Sequence, residues 1–181
     1  DISTSLQKDY PALPLVIQVG AEGNMDDIQI SRLTADLPGA ISLKGEGHIR
    51  NITDSINRSA DVTLQMQTQK LDFVLGLANI PKDGSIVIPP ISMHADRKRD
   101  GPQVAANLLA QEGVGTIRLN ADYNLNSEAY KTDLVIESLQ VNHFMPKDSI
   151  GSVSATANIS GRGIDFQSTR TTATANLAVT T

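Results

Sequence analysis

Apolar and polar residues alternate along most of this chain with a period of two, the pattern of strands that keep one wet face. Leu15, Ile17, Val19 and Ala21 open the series. Ile28 and Ile30 begin a second strand, and Leu33, Ala35 and Leu37 form a third apolar series. The change of phase between Ile30 and Leu33 predicts a bulge or bend. After the turn Leu37-Pro38-Gly39-Ala40, the residues Ile41, Leu43, Gly45, Gly47 and Ile49 line one face, opposite Ser42, Lys44, Glu46 and His48. Glycine inside a strand marks a bend or a close approach by another group. Residues 51–60 read as a loop, followed by Val62, Leu64 and Met66 in a cleanly alternating strand.

Further on, Ile91, Met93 and Ala95 lead into Asp96, Arg97, Lys98, Arg99, Asp100 and Gly101, read as a charged hairpin tip. The even positions Val104, Ala106, Leu108 and Ala110 follow, then Ile117, Leu119, Ala121, Tyr123 and Leu125. Tyr130, Thr132, Leu134 and Ile136 return, and Leu139 and Val141 shift the phase. Val153, Ala155, Ala157 and Ile159 form another strand, and Ala173, Ala175, Leu177 and Val179 the last. About ten or eleven strands result, and consecutive antiparallel pairing is the economical topology.

Two places break the alternation. Phe73, Val74 and Leu77 share a helical face, which predicts a helix of about two turns over 71–78, ended by the Asn79–Gly84 segment with Pro81. Phe144, Met145 and Pro146 predict a second helical turn. These places belong to a repeat, about 60–86 resembling about 134–150. Leu71-Asp72-Phe73 with Ile80-Pro81-Lys82-Asp83-Gly84-Ser85-Ile86 matches Leu139-Gln140-Val141 with Met145-Pro146-Lys147-Asp148-Ser149-Ile150. The fold class is therefore all-β: an antiparallel repeat with two short helices. Its apolar face serves binding or conduction more readily than catalysis.

Composition narrows the function. Aromatic residues make up 3% of the 181 residues and there is no Trp, so the interior is aliphatic and aromatic stacking on sugars or bases is disfavoured. The net charge of -5, well mixed along the chain, argues against a nucleic-acid partner. Without Cys there is no disulfide framework and no thiolate metal site. No apolar run approaches the roughly 20 residues of a membrane-spanning helix. The chain starts at Asp1, and residues 1–181 read as a single segment of a longer chain.

The order of these elements resembles the TamB/AsmA-like family of bacterial envelope proteins, in the version of Bacteroides-like bacteria. The resemblance covers most of residues 28–181. It rests on Leu37-Pro38-Gly39-Ala40-Ile41-Ser42-Leu43-Lys44-Gly45 and on the 71–78 helix followed by Ile80-Pro81. It rests also on Gly113-Val114-Gly115-Thr116-Ile117-Arg118-Leu119 leading to Ala129-Tyr130, and on the 139–150 stretch with a strand ending Gly161-Arg162-Gly163-Ile164-Asp165. The resemblance implies a sheet folded lengthwise like a taco, in a protein anchored in the inner membrane and crossing the periplasm of a Gram-negative bacterium. It implies phospholipid acyl chains as cargo, a role in outer-membrane biogenesis, and a BamA-type outer-membrane partner for the full-length chain. The expected groove lining is Ile17, Val19, Ile41, Leu43, Val62, Leu64, Met66, Met93, Ile117, Leu119, Leu134, Ile136, Val153 and Ile159. Small inward residues, Gly45, Gly47 and several alanines among them, would leave room for acyl chains.

Competing chemistry is sparse. His48, His94 and His143 have no metal-ligand spacing, and no cofactor is expected. Asp26-Asp27 with Glu22 does not fit a calcium loop. The paired glycines lack the lysine and helix of a phosphate loop, and nucleophile motifs are missing, so an enzyme ranks last. Arg97, Lys98 and Arg99 could meet lipid headgroups, but a charged tip that discourages edge pairing is the simpler reading. Two alternatives to a lipid groove remain: a chaperone-like module that captures outer-membrane proteins by strand addition, and a structural β-sandwich of a surface protein with a filled core.

Overall fold

The alternating segments form ten strands of a single antiparallel sheet. The computed structural model describes residues 14–163 and 171–181. The strands are β1 (Val16–Asn24), β2 (Asp27–Leu37), β3 (Ile41–Arg50), β4 (Ser59–Thr68), β5 (Ser92–Asp100), β6 (Gln103–Glu112), β7 (Gly115–Asn124), β8 (Ala129–Gln140), β9 (Ser152–Arg162) and β10 (Thr172–Thr180). They lie side by side in sequence order, with β1 and β10 as unpaired edges, so the sheet is an open trough and not a barrel. Nine spacings of about 4.8 Å make it roughly 43 Å wide. No second sheet lies against it among the described residues, which rules out a two-sheet sandwich there.

Several local expectations need correcting. The second and third apolar series are one strand, β2, whose register shifts between Ile30 and Leu33. The expected bulge thus lies inside the strand, where Ser31 and Arg32 together face the single residue Glu46 of β3. A matching shift lies in β8 between Ile136 and Leu139. Arg97, Lys98 and Arg99 are not a hairpin tip: all three are paired within β5, and the turn falls at Gly101-Pro102. β4 begins at Ser59, inside the expected loop. Of the resemblance motif at the end of β9, Ile164 and Asp165 lie outside the described residues.

The two breaks in alternation are short helices, α1 (Asp72–Leu77) and α2 (Val141–Phe144). α2 starts earlier than the expected turn at Phe144–Pro146, and Val141 belongs to it and not to a strand. Both helices follow a strand of the repeat, β4 and β8, and both lie at the same end of the sheet. That end carries the β2–β3, β4–β5, β6–β7 and β8–β9 connections.

These connections close over the trough at that end. Gln69 and Lys70 donate their N–H groups to the Ala40 and Gly39 carbonyls of the β2–β3 turn (2.8 and 3.2 Å). Val87 N–H donates to the Phe144 carbonyl (2.8 Å), and Lys147 Nζ to the Asp83 carbonyl (2.9 Å). Strands β4 and β8 are four spacings apart, roughly 19 Å along the sheet. Their connections meet because the sheet curves towards its apolar face. Among the described residues the buried side chains are Leu37, Ala40, Thr68, Leu75, Pro89, Ala110 and Glu112, and all lie in, under or beside this roof. The core therefore sits at one end, and among the described residues no protein layer lies above the rest of the apolar face.

Gly161 shows how closely the far end is fitted. A Cβ there would overlap the Thr172 carbonyl oxygen of β10 and the Tyr130 ring of β8. Gly161→Ala is expected to detach the start of β10, because the clash is with backbone that cannot rotate away. Faster amide exchange confined to β9 and β10 is the expected result. Unchanged exchange would show that the strands absorb the methyl group.

Candidate groove and its geometry

Residues directly opposite in an antiparallel sheet share a face, so the register determines what the trough presents. One row across the sheet reads Ile17, Ala35, Leu43, Met66, Met93, Ala110, Ile117, Ile136, Ala155 and Val179. The next reads Val19, Leu33, Gly45, Leu64, Ala95, Leu108, Leu119, Leu134, Ala157 and Leu177. Neither contains a polar side chain. A third row brings Ile30, Val62, Ala106, Ala121 and Ile159 into line with Arg97 and Thr132. Ile41, opposite Leu37 and Thr68, and Val153, opposite Leu139, extend the surface at the roofed end.

All the expected lining residues thus fall on one face. Ile17, Val19 and Ile159 are exposed, at 60%, 64% and 38%, and the others are half-buried. None belongs to the buried core. Two cavities lie along the centre. The first, about 420 Å³, is bounded by Ile91, Met93, Leu108, Ala110, Ile117, Leu139, Val141 and Phe144, with Glu112 at its end under the roof. The second, about 310 Å³, is bounded by Val62, Leu64, Ala95, Ala106, Leu108 and Leu119, with Arg97 at its side. Leu108 borders both, so the two cavities adjoin along β6.

The glycines of β3 contribute differently from the expectation. A Cβ on Gly45 would lie 2.6 Å from Leu64 Cδ2 and 3.4 Å from Leu33 Cδ2, and one on Gly47 3.1 Å from Val62 Cγ2. Neighbouring aliphatic side chains fold over these glycines and take the space that their missing side chains would leave. The free volume lies instead above β5 to β7, where alanines alternate with leucine and methionine.

The opposite face carries paired charge. His48 pairs with Asp27 and accepts from Arg50 (2.7 Å), and His94 pairs with Asp96 (3.0 Å), which also accepts from Thr63 (2.7 Å). Hydrogen bonds from Arg118 and Thr116 hold the Glu137 carboxyl below its usual range, and Asn158 with Lys131 does the same for Asp133. Asp26 and Asp27 belong to a turn in which Asn24 Oδ1 accepts both of their N–H groups (2.8 and 3.1 Å). Among the described residues no group of three His, Cys, Asp or Glu side chains could hold a metal ion.

Three charged groups on the apolar face escaped the sequence reading. Glu112 is buried at the roofed end, where His143 Nδ1 of α2 lies 2.7 Å from its Oε1. Arg97 and Arg99 lie towards the opposite end. Phase alone would have placed all three: Arg97 and Arg99 continue the odd series Ile91, Met93, Ala95, and Glu112 continues the even series Val104 to Ala110.

No helix of the described residues is long and apolar enough to cross a membrane. Comparisons of the chain with protein-family models, with curated proteins and with solved structures give no match in any of the three.

Proposed function

We propose that this chain is a periplasmic segment of a TamB/AsmA-like envelope protein whose trough holds phospholipid acyl chains on their way between the inner and outer membranes. One observation carries the reading: two uninterrupted aliphatic rows cross ten strands, and among the described residues no protein layer lies above them over most of their length. The two apolar rows, about 7 Å apart over a width of roughly 43 Å, span roughly 600 Å², the upper end of the largest apolar patch that a soluble monomer ordinarily shows. A surface of that size suits an apolar occupant, and each buried acyl methylene contributes about 0.8 kcal/mol. The contact is non-directional, so chains can slide along it. No reacting group is required. In this reading the full-length protein is anchored in the inner membrane and meets a BamA-type partner at the outer membrane.

The test is native mass spectrometry of protein purified without detergent. Phospholipid retained on the folded chain is the expected result, and a chain that stays free of lipid after incubation with phospholipid vesicles would refute the reading. A second function, capture of unfolded outer-membrane strands, draws on the two free edges. β10 is exposed at every position, with Leu177 and Val179 uncovered, and its outer edge offers unpaired backbone for strand addition.

A further inference from the structure

Arg97 breaks the chemistry of the face that surrounds it. Its ladder partners are Val62 and Ala106, neither of which can accept a hydrogen bond through its side chain. Among the described residues its guanidinium has no hydrogen-bond or ion-pair partner, although it borders the cavity lined by Leu64, Leu108 and Leu119. Arg99, two residues further on the same face, donates Nε to the Gly101 carbonyl (3.1 Å) and a terminal NH₂ to the Ser55 carbonyl (3.3 Å), but meets no carboxylate. Two positive charges therefore stand near one end of the apolar face, away from its carboxylate. Among the described residues the one carboxylate on this face, Glu112, lies at the other end and is engaged by His143. Six residues of β6 separate the position opposite Arg97 from Glu112, roughly 20 Å.

An apolar face with unneutralised cations at its open end and a roof at its closed end has a polarity. We infer that Arg97, supported by the field of Arg99, binds the phosphate of an anionic phospholipid headgroup, with an acyl chain running along β6 towards α2. This rests on the groove reading and adds to it a headgroup class and a direction. Guanidinium suits the role because its planar fork gives two parallel hydrogen bonds to phosphate oxygens. The apolar flanks of Arg97 leave that fork no competing acceptor. Phospholipid chains would thus lie head-out at the Gly101 end and tail-in beneath the roof.

The experiment is native mass spectrometry in which phosphatidylglycerol and phosphatidylcholine of identical acyl chains compete for the intact chain, with the matching free fatty acid as a third arm. The wild type is expected to prefer the anionic phospholipid. Arg97→Gln should lower that preference roughly tenfold, the scale of one charge-assisted contact, and Arg97→Lys should retain most of it. A phospholipid carrying a photoreactive group at its chain terminus should label Leu139 and Phe144 before Leu119. If Arg97→Gln still binds lipid with the wild-type preference, the headgroup site is wrong and the groove stands. If the wild type binds none of the three, the groove reading itself falls. If only the fatty acid depends on Arg97, the partner is a carboxylate and the phosphate assignment fails.

Discussion

Leu119→Asp is expected to empty the trough while leaving the sheet assembled. Leu119 lies in the second apolar row, between Leu108 of β6 and Leu134 of β8, and borders the cavity beside Arg97. It is half-buried. In the unloaded protein a carboxylate there can stay hydrated from the open side, so the cost to folding is about 1–2 kcal/mol, that of a partly buried leucine. An acyl chain laid across the same position would strip that water. Desolvating an unpaired charge costs several kcal/mol, more than the few methylenes in contact with it return. Retained phospholipid should fall more than tenfold, while the β-sheet circular dichroism signal and the melting transition change little. Gln65→Asp is the matched control: Gln65 is exposed on the polar face, opposite Lys44 and His94, so the same charge there should leave lipid content untouched. Wild-type lipid content in Leu119→Asp would mean that the chains do not lie on this face.

The strands were legible because alternation is a local signal, and ten segments with the same period had few other ways to pair. The bulges could be read for the same reason: a slip of phase at Ile30/Leu33 or Ile136/Leu139 is visible in the residues themselves. Charged residues were harder. Arg97-Lys98-Arg99 resembles a solvated tip because three cations in succession outweigh phase by eye, yet the backbone stays extended through them and alternate residues still face the trough. What β3 does with Gly45 and Gly47 depends on how Leu33, Leu64 and Val62 fold over them, and a small residue in a sequence does not say whether the space beside it is kept or filled. The roof was the least accessible part. The repeat gave both helices, but the contact between the segments that follow them depends on sheet curvature, a property of all the strands between.

Leu75→Ala is expected to be among the most destabilising single changes in the aliphatic side chains, because stability is concentrated where the apolar face is covered. Leu75 is 5% exposed and is the buried residue of α1. It is held in a helical turn by Ala78 N–H to the Val74 carbonyl (3.0 Å) and Ile80 N–H to the Leu75 carbonyl (2.8 Å). Removing a buried leucine costs about 2–4 kcal/mol through lost transfer energy and the cavity left behind. Ile17→Ala removes a similar side chain from β1, but Ile17 is 60% exposed and its loss should cost well under about 1 kcal/mol. The contrast in denaturant midpoints tests where the core lies. The location of the damage tests how the roof works. α1 leads into the segment that reaches Phe144, so its release should raise amide exchange first at Val87 and across 79–90. The turns at the opposite end should respond later, since backbone bonds such as Gly101 N–H to the Arg58 carbonyl (3.2 Å) and Leu125 N–H to the Pro102 carbonyl (2.8 Å) hold them without any roof contact. Equal losses in the two variants would contradict a core at the roofed end. Damage confined to the roof would make it a separable cap on the groove, and Leu75→Ala would then load acyl chains faster than the wild type as well as melt earlier.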